Sequence, residues 1–284
     1  MSGPMRPAAF VFLALAALGC SSSAPPPTDA GAPDAEAEVC TGTVLFGRPI
    51  PATGLSDAQC QPICTCGGTS WEAPDYSAAD ADALLDWTLL EPYAEITTDP
   101  YAGPAPEPGD AGDDEVCAVM PEAAGSHSYR LATYPSEDAA RAAGGIPSHF
   151  GACGVCSPLA DLAVYMRYPD LTAPVRDCGL QNVGAPESAY LECLGALGFD
   201  LPCAQIWYYN LQHTAESCAL LCLDGSKEPY NEPDGALNPC LQCDEDKSGA
   251  VFKAVAGRTR RNTGIASAMC RPCSEVRRLV HMYP

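Results

Sequence analysis

Cys153-Gly154-Val155-Cys156 stands directly ahead of Ser157-Pro158, a helix-opening pair, so two thiols sit where nucleophilic or disulfide-exchange chemistry could be placed. Amide N–H groups at a helix N-terminus stabilise a thiolate, the reactive form of cysteine. His213, with Asn210 three residues before it, and His281 are the bases that could serve such a thiolate, whereas His127 and His149 share no metal-ligand spacing with them. Cys240-Leu241-Gln242-Cys243 and Cys270-Arg271-Pro272-Cys273 are two further close pairs, the donor set of a four-thiolate zinc site in a reducing compartment and a pair of staples in an oxidising one. Asp244, Asp246 and Ser248, followed by Gly249 and Val251, put oxygen donors at the first, third and fifth places of a calcium loop. Val255 occupies the place of the bidentate glutamate, so only a weak calcium site is open to this segment, and an acidic turn capping a following helix is the plainer reading. Arg258, Arg260 and Arg261 could gather a small anionic ligand, or else dock the basic tail on the acidic body.

Parity weighs against a catalytic thiol. Of the 17 cysteines, all but Cys20 lie from Cys40 onward, an even set of 16 that permits eight disulfides and that a free Cys156 would break. Connectivity is not legible, although Cys64 and Cys66 are too close in sequence to bond to each other without strain. The formal net charge is -21, while Lys247 to Pro284 carries eight basic residues against the single acid Glu275. An acidic surface of that size excludes nucleic acid and anionic lipid as electrostatic partners.

The elements that must position these residues are mostly helical. Helices are expected from Ala78 to Leu90 behind Ser77, after Ser136 as far as Gly144-Gly145, from Ser157-Pro158 to Pro169, from Pro186 to Leu197, from Pro202 through Leu211, from Thr214 to Leu223 and from Ser274 to Met282. Gly42 to Gly47 and Tyr129 to Tyr134 read as short strands, whereas Gly144 to Phe150 is not a strongly apolar strand. Trp207-Tyr208-Tyr209 is a core cluster or a pocket wall. Residues 99–115, rich in proline, glycine and acids, have no regular-structure pattern and divide a small cysteine-containing unit at 39–98 from a larger cysteine-rich helical one at 116–284. The fold class expected is mainly α, or α+β with a few short strands, in a disulfide-rich extracytoplasmic body that is cross-linked as one.

Four resemblances bear on function. Ala8 to Gly19 is an apolar run behind Arg6, too short to span a bilayer, and Ala17-Leu18-Gly19-Cys20 resembles the lipobox of bacterial lipoproteins. That likeness implies a signal peptide at 1–19, a diacylated Cys20 anchored in a membrane and a tether at 20–38 that lacks every large apolar residue. Ser21 in place of aspartate resembles the outer-membrane sorting class. Cys153-Gly154-Val155-Cys156 is similar to the redox motif of thioredoxin-like proteins, and with Gly151 and Ala152 to the nucleophile segment of papain-like proteases, which would make Cys156 the nucleophile. Finally, segments at Cys153 to Cys178, Cys203 to Asn210 and Ala256 to Asn262 look like those of uncharacterised cysteine-rich exported proteins of bacteria and microalgae, a likeness that implies a shared extracellular fold and no particular chemistry.

The expectation from sequence is thus a lipid-anchored, disulfide-stapled binding or structural module outside the cytoplasm, with no cofactor beyond a weak calcium ion. A thiol-dependent enzyme working through Cys153 and Cys156 is the rival.

Overall fold

The computed structural model describes Cys40 and residues 44–104, 114–225 and 228–284. The signal segment 1–19, Cys20 and the tether 20–38 lie outside the described residues, as do 105–113 of the acidic stretch. Two small pairings come first: β1 (Leu45–Phe46) runs parallel to β2 (Cys60–Gln61), and β3 (Ile63–Cys66) returns antiparallel as β4 (Thr69–Glu72). Gly67 and Gly68 take φ of 55° and 78° at that return, a left-handed pair whose twist matches the flanking strands.

Helix α1 (Ala78–Leu84) starts as expected at Ser77, whose hydroxyl accepts from the Asp80 N–H while the Asp80 carboxylate accepts from the Ser77 N–H. It stops earlier than the expected Leu90. Trp87 is buried edge-on against Tyr129, and Thr88–Leu89 becomes strand β5. With β6 (Val116–Pro121), β7 (Ser128–Tyr134) and β8 (Ile146–Phe150) it forms a four-stranded sheet in the order β5-β7-β6-β8. Gly144 to Phe150, which is not a strongly apolar run, supplies an edge strand, its Pro147, Ser148 and His149 buried. Helix α2 (Glu137–Ala142) bridges β7 and β8 behind the Ser136 cap.

Helix α3 (Leu159–Arg167) is the axis of the core, with seven of its nine residues buried, more than the single apolar face its sequence shows. Around it stand α4 (Thr172–Gln181), α5 (Glu187–Ala196), α6 (Leu201–Gly225), α7 (Pro239–Ala256) and the short α8 (Arg260–Thr263). The two helices expected between Pro202 and Leu223 are one 25-residue helix, because no residue in Gln212-His213-Thr214 breaks it. The helix expected from Ser274 to Met282 is absent: a 3-10 turn at Cys273–Glu275 leads into chain without regular structure. The fold is mixed α+β rather than mainly α.

Eight disulfides tie these elements: 40–66, 60–270, 64–273, 117–153, 156–203, 178–193, 218–243 and 222–240. Glu38–Pro284 forms one compact unit, and two of the bridges join the 39–98 segment to the end of the chain. Cysteine pairs 240/243 and 270/273 are not cross-linked to each other. The former closes α7 onto α6 and the latter reaches back to β2 and β3, so no thiolate remains for zinc.

The glycine between Cys153 and Val155 has a packing role. Val155 and Cys156 donate N–H bonds to the carbonyls of Val255 and Ala256, and a Cβ on Gly154 would lie 2.4 Å from the Val255 oxygen. Gly257 meets it from the other side with φ of 72°, where an added Cβ would lie 2.5 Å from the Gly154 nitrogen. Gly154→Ala is therefore expected to destabilise the protein by about 3 kcal/mol, since backbone on both sides must move. Gly195→Ala, in α5 with open space around it, is expected to stabilise by about 0.5 kcal/mol. Denaturant midpoints of the two variants should move in opposite directions.

Candidate ligand-binding groove

The thiol site that the rival reading places at the start of α3 is absent. Cys153 is bonded to Cys117 at the bulge between Cys117 and Ala118, and Cys156, fully buried, is bonded to Cys203. With their sulfurs in separate bridges, the two cysteines form neither a nucleophile nor a dithiol couple. The Leu159 N–H at the helix start, which would have favoured a thiolate, donates instead to the Tyr129 hydroxyl at 2.8 Å. Of the two candidate bases, His213 lies away from Cys156 and His281 is bonded elsewhere. Cys203 precedes His213 by ten residues on one helix, a rise of about 15 Å. His213 Nδ1 lies 3.0 Å from the Ser248 hydroxyl, and its ring stacks on Tyr101 at 4.5 Å. His281 Nε2 bonds the Thr263 carbonyl at 2.9 Å, and burial, reinforced by Arg258, holds its pKa down at about 3. It is a neutral core residue.

His149, Ser157 and Arg258 form a polar centre the sequence did not announce. His149 Nδ1 donates to the Phe150 carbonyl at 3.0 Å, which leaves Nε2 to accept from the Ser157 hydroxyl at 2.6 Å. Burial first, and then Arg258, keep this imidazole neutral, well below its ordinary pKa. Desolvation first, and then the neighbouring Asp200, push the pKa of buried Asp161 well above the ordinary carboxylate range.

The calcium reading is overturned by secondary structure. Asp244, Asp246 and Ser248 lie inside α7, where residues two apart point about 200° apart and cannot converge on one ion. Asp244 turns toward α6, accepting from Asn210 Nδ2 at 3.1 Å and from the Thr214 hydroxyl, and burial raises its pKa. Asp246 accepts from Gln242 at 2.8 Å on the surface. Among the described residues no group of His, Cys, Asp or Glu is arranged to hold a metal. Nor is the acidic 99–115 stretch wholly irregular: Pro100–Ala102 is a 3-10 turn that seats Tyr101 between α6 and α7, its hydroxyl donating to Asn210 Oδ1 at 2.8 Å.

The three-arginine anion site is taken apart in the same way. Arg258 points inward and is fully buried. Arg260 donates to the Tyr165 and Tyr168 carbonyls and lies over the Tyr165 ring at 5.4 Å, and Arg261 pairs with Glu245 and Glu275 at 2.6 and 3.0 Å. Arg260 remains cationic at neutral pH although burial lowers its pKa to about 10.

What the structure offers a ligand is a groove of about 820 Å³ bounded by α4, α6, α7 and the segment after α8. Its walls are largely apolar, including Leu171, Val175, Leu211 and Phe252, and Trp207 packs on Phe252 at 4.6 Å while also facing the groove. Trp207 is thus at once core and pocket wall. Leu180, Val183 and Leu223 form an apolar lip, 61%, 77% and 75% exposed. Asp170, held by the Tyr230 hydroxyl at 2.7 Å and by the Thr172 N–H at 2.8 Å, fixes the start of α4 at one border. Volume, concavity and a mainly apolar lining with a few polar groups are the attributes of small-molecule sites. The sequence reading missed this wall because α4 and α7 went unassigned. Their signals were Asp170 ahead of Thr172 and Pro174, and Asn238-Pro239, where the Asn238 side chain accepts from the Leu241 N–H.

No curated protein and no solved structure matches the chain. Residues 187–279, which run from α5 through the last disulfide and include most of the groove's α6 and α7 walls, match a family described as a family of unknown function, DUF8771.

Proposed function

We propose that this protein is a lipid-anchored binding module, held at the outer membrane through a diacylated Cys20 and presenting the groove between α4, α6 and α7 to a small apolar or amphiphilic ligand. The observation that carries the reading is the groove: about 820 Å³ of mainly apolar space on a body whose eight disulfides fix its walls. Two bridges, 218–243 and 222–240, clamp α6 to α7, and 178–193 clamps α4 to α5, so the site is preorganised rather than formed on binding. Disulfides in this number belong to an oxidising, extracytoplasmic compartment. Among the described residues no helix is long and apolar enough to cross a membrane; support for an acyl anchor on Cys20 comes from the lipobox resemblance of Ala17-Leu18-Gly19-Cys20.

Two measurements test this. The wild-type chain grown with an alkyne palmitate analogue should carry label, and Cys20→Ser should not. The neutral fluorophore N-phenyl-1-naphthylamine should bind the full-length Cys20→Ser chain saturably at one site and quench Trp207 emission. Val183→Asp, on the exposed lip, should weaken that binding about tenfold with the unfolding midpoint unchanged. Absence of saturable binding would remove the groove as a ligand site.

A further inference from the structure

The charged residues of the groove are already bonded to the chain itself. Glu245 gives one carboxylate oxygen to Arg271 and the other to Arg261 at 2.6 Å, and the second terminal nitrogen of Arg261 reaches Glu275 at 3.0 Å. Two cations and two carboxylates thus close on each other along one wall. Arg260, beside them, is spent on the carbonyls of Tyr165 and Tyr168, and Arg176 and Lys253 have partners as well. Among the lining acids, Asp170 accepts at both oxygens, from the Tyr230 hydroxyl and from the Thr172 N–H, and Asp244 accepts from Asn210 and Thr214. Gln212 differs from all of these. Half-buried on the α6 wall, its amide has no hydrogen-bond partner among the described residues.

We infer that the groove takes an uncharged amphiphile of the long-chain alcohol type, its tail on the wall of Leu171, Val175, Leu211 and Phe252 and its polar end at the Gln212 amide. This rests on the groove being a ligand site at all, and deepens that reading by fixing the head group as neutral. An anionic head would reach Arg261 or Arg271 only by expelling Glu245 or Glu275. That exchanges one carboxylate for another and leaves the expelled one, tethered to the same wall, without its cation. A cationic head would have to take Glu245 from two arginines and leave them unpaired. Both ions also give up hydration on entering a mainly apolar groove, whereas a hydroxyl is satisfied there by an amide that both donates and accepts. The tail contributes affinity in proportion to the apolar area it covers, whatever the head.

Displacement of N-phenyl-1-naphthylamine from the full-length Cys20→Ser chain separates the two levels. Decanol should displace the probe with an affinity at least tenfold ahead of decanoate and of decyltrimethylammonium, each below its micelle concentration. Gln212→Leu, which removes no hydrogen bond of the chain, should lower the affinity for decanol about fivefold and leave that for the fluorophore unchanged. Glu245→Gln, which unpairs Arg271, should raise the affinity for decanoate at least fivefold and leave decanol unchanged. The two variants separate recognition by the groove from the alcohol's greater hydrophobicity, which neither alters. If the fluorophore binds but decanoate equals decanol, or if Gln212→Leu leaves decanol unaffected, or if Glu245→Gln brings decanoate no gain, the neutral-head assignment is wrong while the groove stands. If the fluorophore itself does not bind, the groove reading fails and this assignment with it.

Discussion

Removing both Cys60–Cys270 and Cys64–Cys273 by alanine substitution is expected to destabilise the protein by about 7 kcal/mol through chain entropy, more than twice the effect of removing either bridge alone. The two bridges overlap along nearly their whole span, with sequence separations of 210 and 209, so either one alone closes nearly the same long loop. Three intervening bridges, 117–153, 156–203 and 218–243, shortcut that loop by their separations of 36, 47 and 25, leaving roughly 100 residues, for which closure is worth about 4.7 kcal/mol. Once the first bridge is in place, the second closes a ring of only about eight residues, worth about 2.5 kcal/mol. Each single removal should therefore cost about 2.5 kcal/mol beyond its local packing effect. Local effects at the buried sulfurs recur in the double variant and cancel in the comparison. Denaturant titration of the wild type, both single-bridge variants and the double variant measures the excess of the double over the sum of the singles. An excess near 2 kcal/mol is the expected result, and strict additivity would refute the overlapping-loop account. The consequence reaches function, because these two bridges bind the 39–98 segment to the strand-like Cys270–Cys273 stretch, just beyond the groove's Ser267, Met269 and Arg271 wall.

How far the sequence carried this picture depended on whether a signal was local. Ser77, Ser136 and Pro158 mark helix starts correctly because a cap involves only residues within one turn of each other. The even cysteine count anticipated complete pairing, yet which cysteine meets which is decided by tertiary contacts between residues 15 to 210 apart, and Cys64–Cys273 has no local trace. Cys153-Gly154-Val155-Cys156 carries a reactive-thiol signal that parity outweighs, and the structure gives the physical reason. Close spacing of two cysteines ahead of a helix serves redox chemistry only if the sulfurs share a bond or stay free. Here the intervening glycine exists so that the backbone can pass against Gly257, and the sulfurs face different elements. Asp244, Asp246 and Ser248, already a poor calcium loop for want of a glutamate at Val255, are ambiguous likewise, since oxygen donors two apart converge in a loop and diverge on a helix, and the Asn238-Pro239 start that decides between them lies outside the motif. The groove was the least legible feature. Its walls come from helices far apart in the chain, and Leu180, Val183 and Leu223 acquire meaning only when α4 and α6 are brought to face each other.

Arg258 should prove the least replaceable basic residue, and the reason lies in its acceptors rather than in an ion pair. Its Nε donates to the Cys156 carbonyl at 2.9 Å, one terminal nitrogen to the Ser148 carbonyl at 3.1 Å, and the other to the Ser148 hydroxyl at 2.7 Å and the Ser157 carbonyl at 2.8 Å. The guanidinium thus ties β8, the turn before α3 and the end of α7 at a point without solvent. Two effects oppose each other on removing it. A buried charge without a hydrogen-bonded carboxylate is costly to hold, and burial lowers its pKa, so Arg258→Met relieves a desolvation penalty. The same change strands four buried acceptors, three of them backbone carbonyls that no relaxation can turn outward, at about 1 to 3 kcal/mol each. The second effect wins by count, and a net loss of at least about 4 kcal/mol is expected, equivalent to roughly 8 to 16 °C in melting temperature for a domain of this size. Arg258→Lys should fall between, keeping the charge but reaching fewer acceptors from a single nitrogen. Arg141→Gln, which breaks only the exposed i,i+4 pair with Glu137 at 2.6 Å, should change stability by less than about 0.5 kcal/mol. A second readout does not depend on the size of the loss: Arg258 adds to burial in keeping His281 at about 3, so the imidazole of the Arg258→Met variant should titrate at higher pH by NMR. Melting within about 1 kcal/mol of wild type would mean that desolvation of the charge, and not satisfaction of its acceptors, governs the centre of this fold.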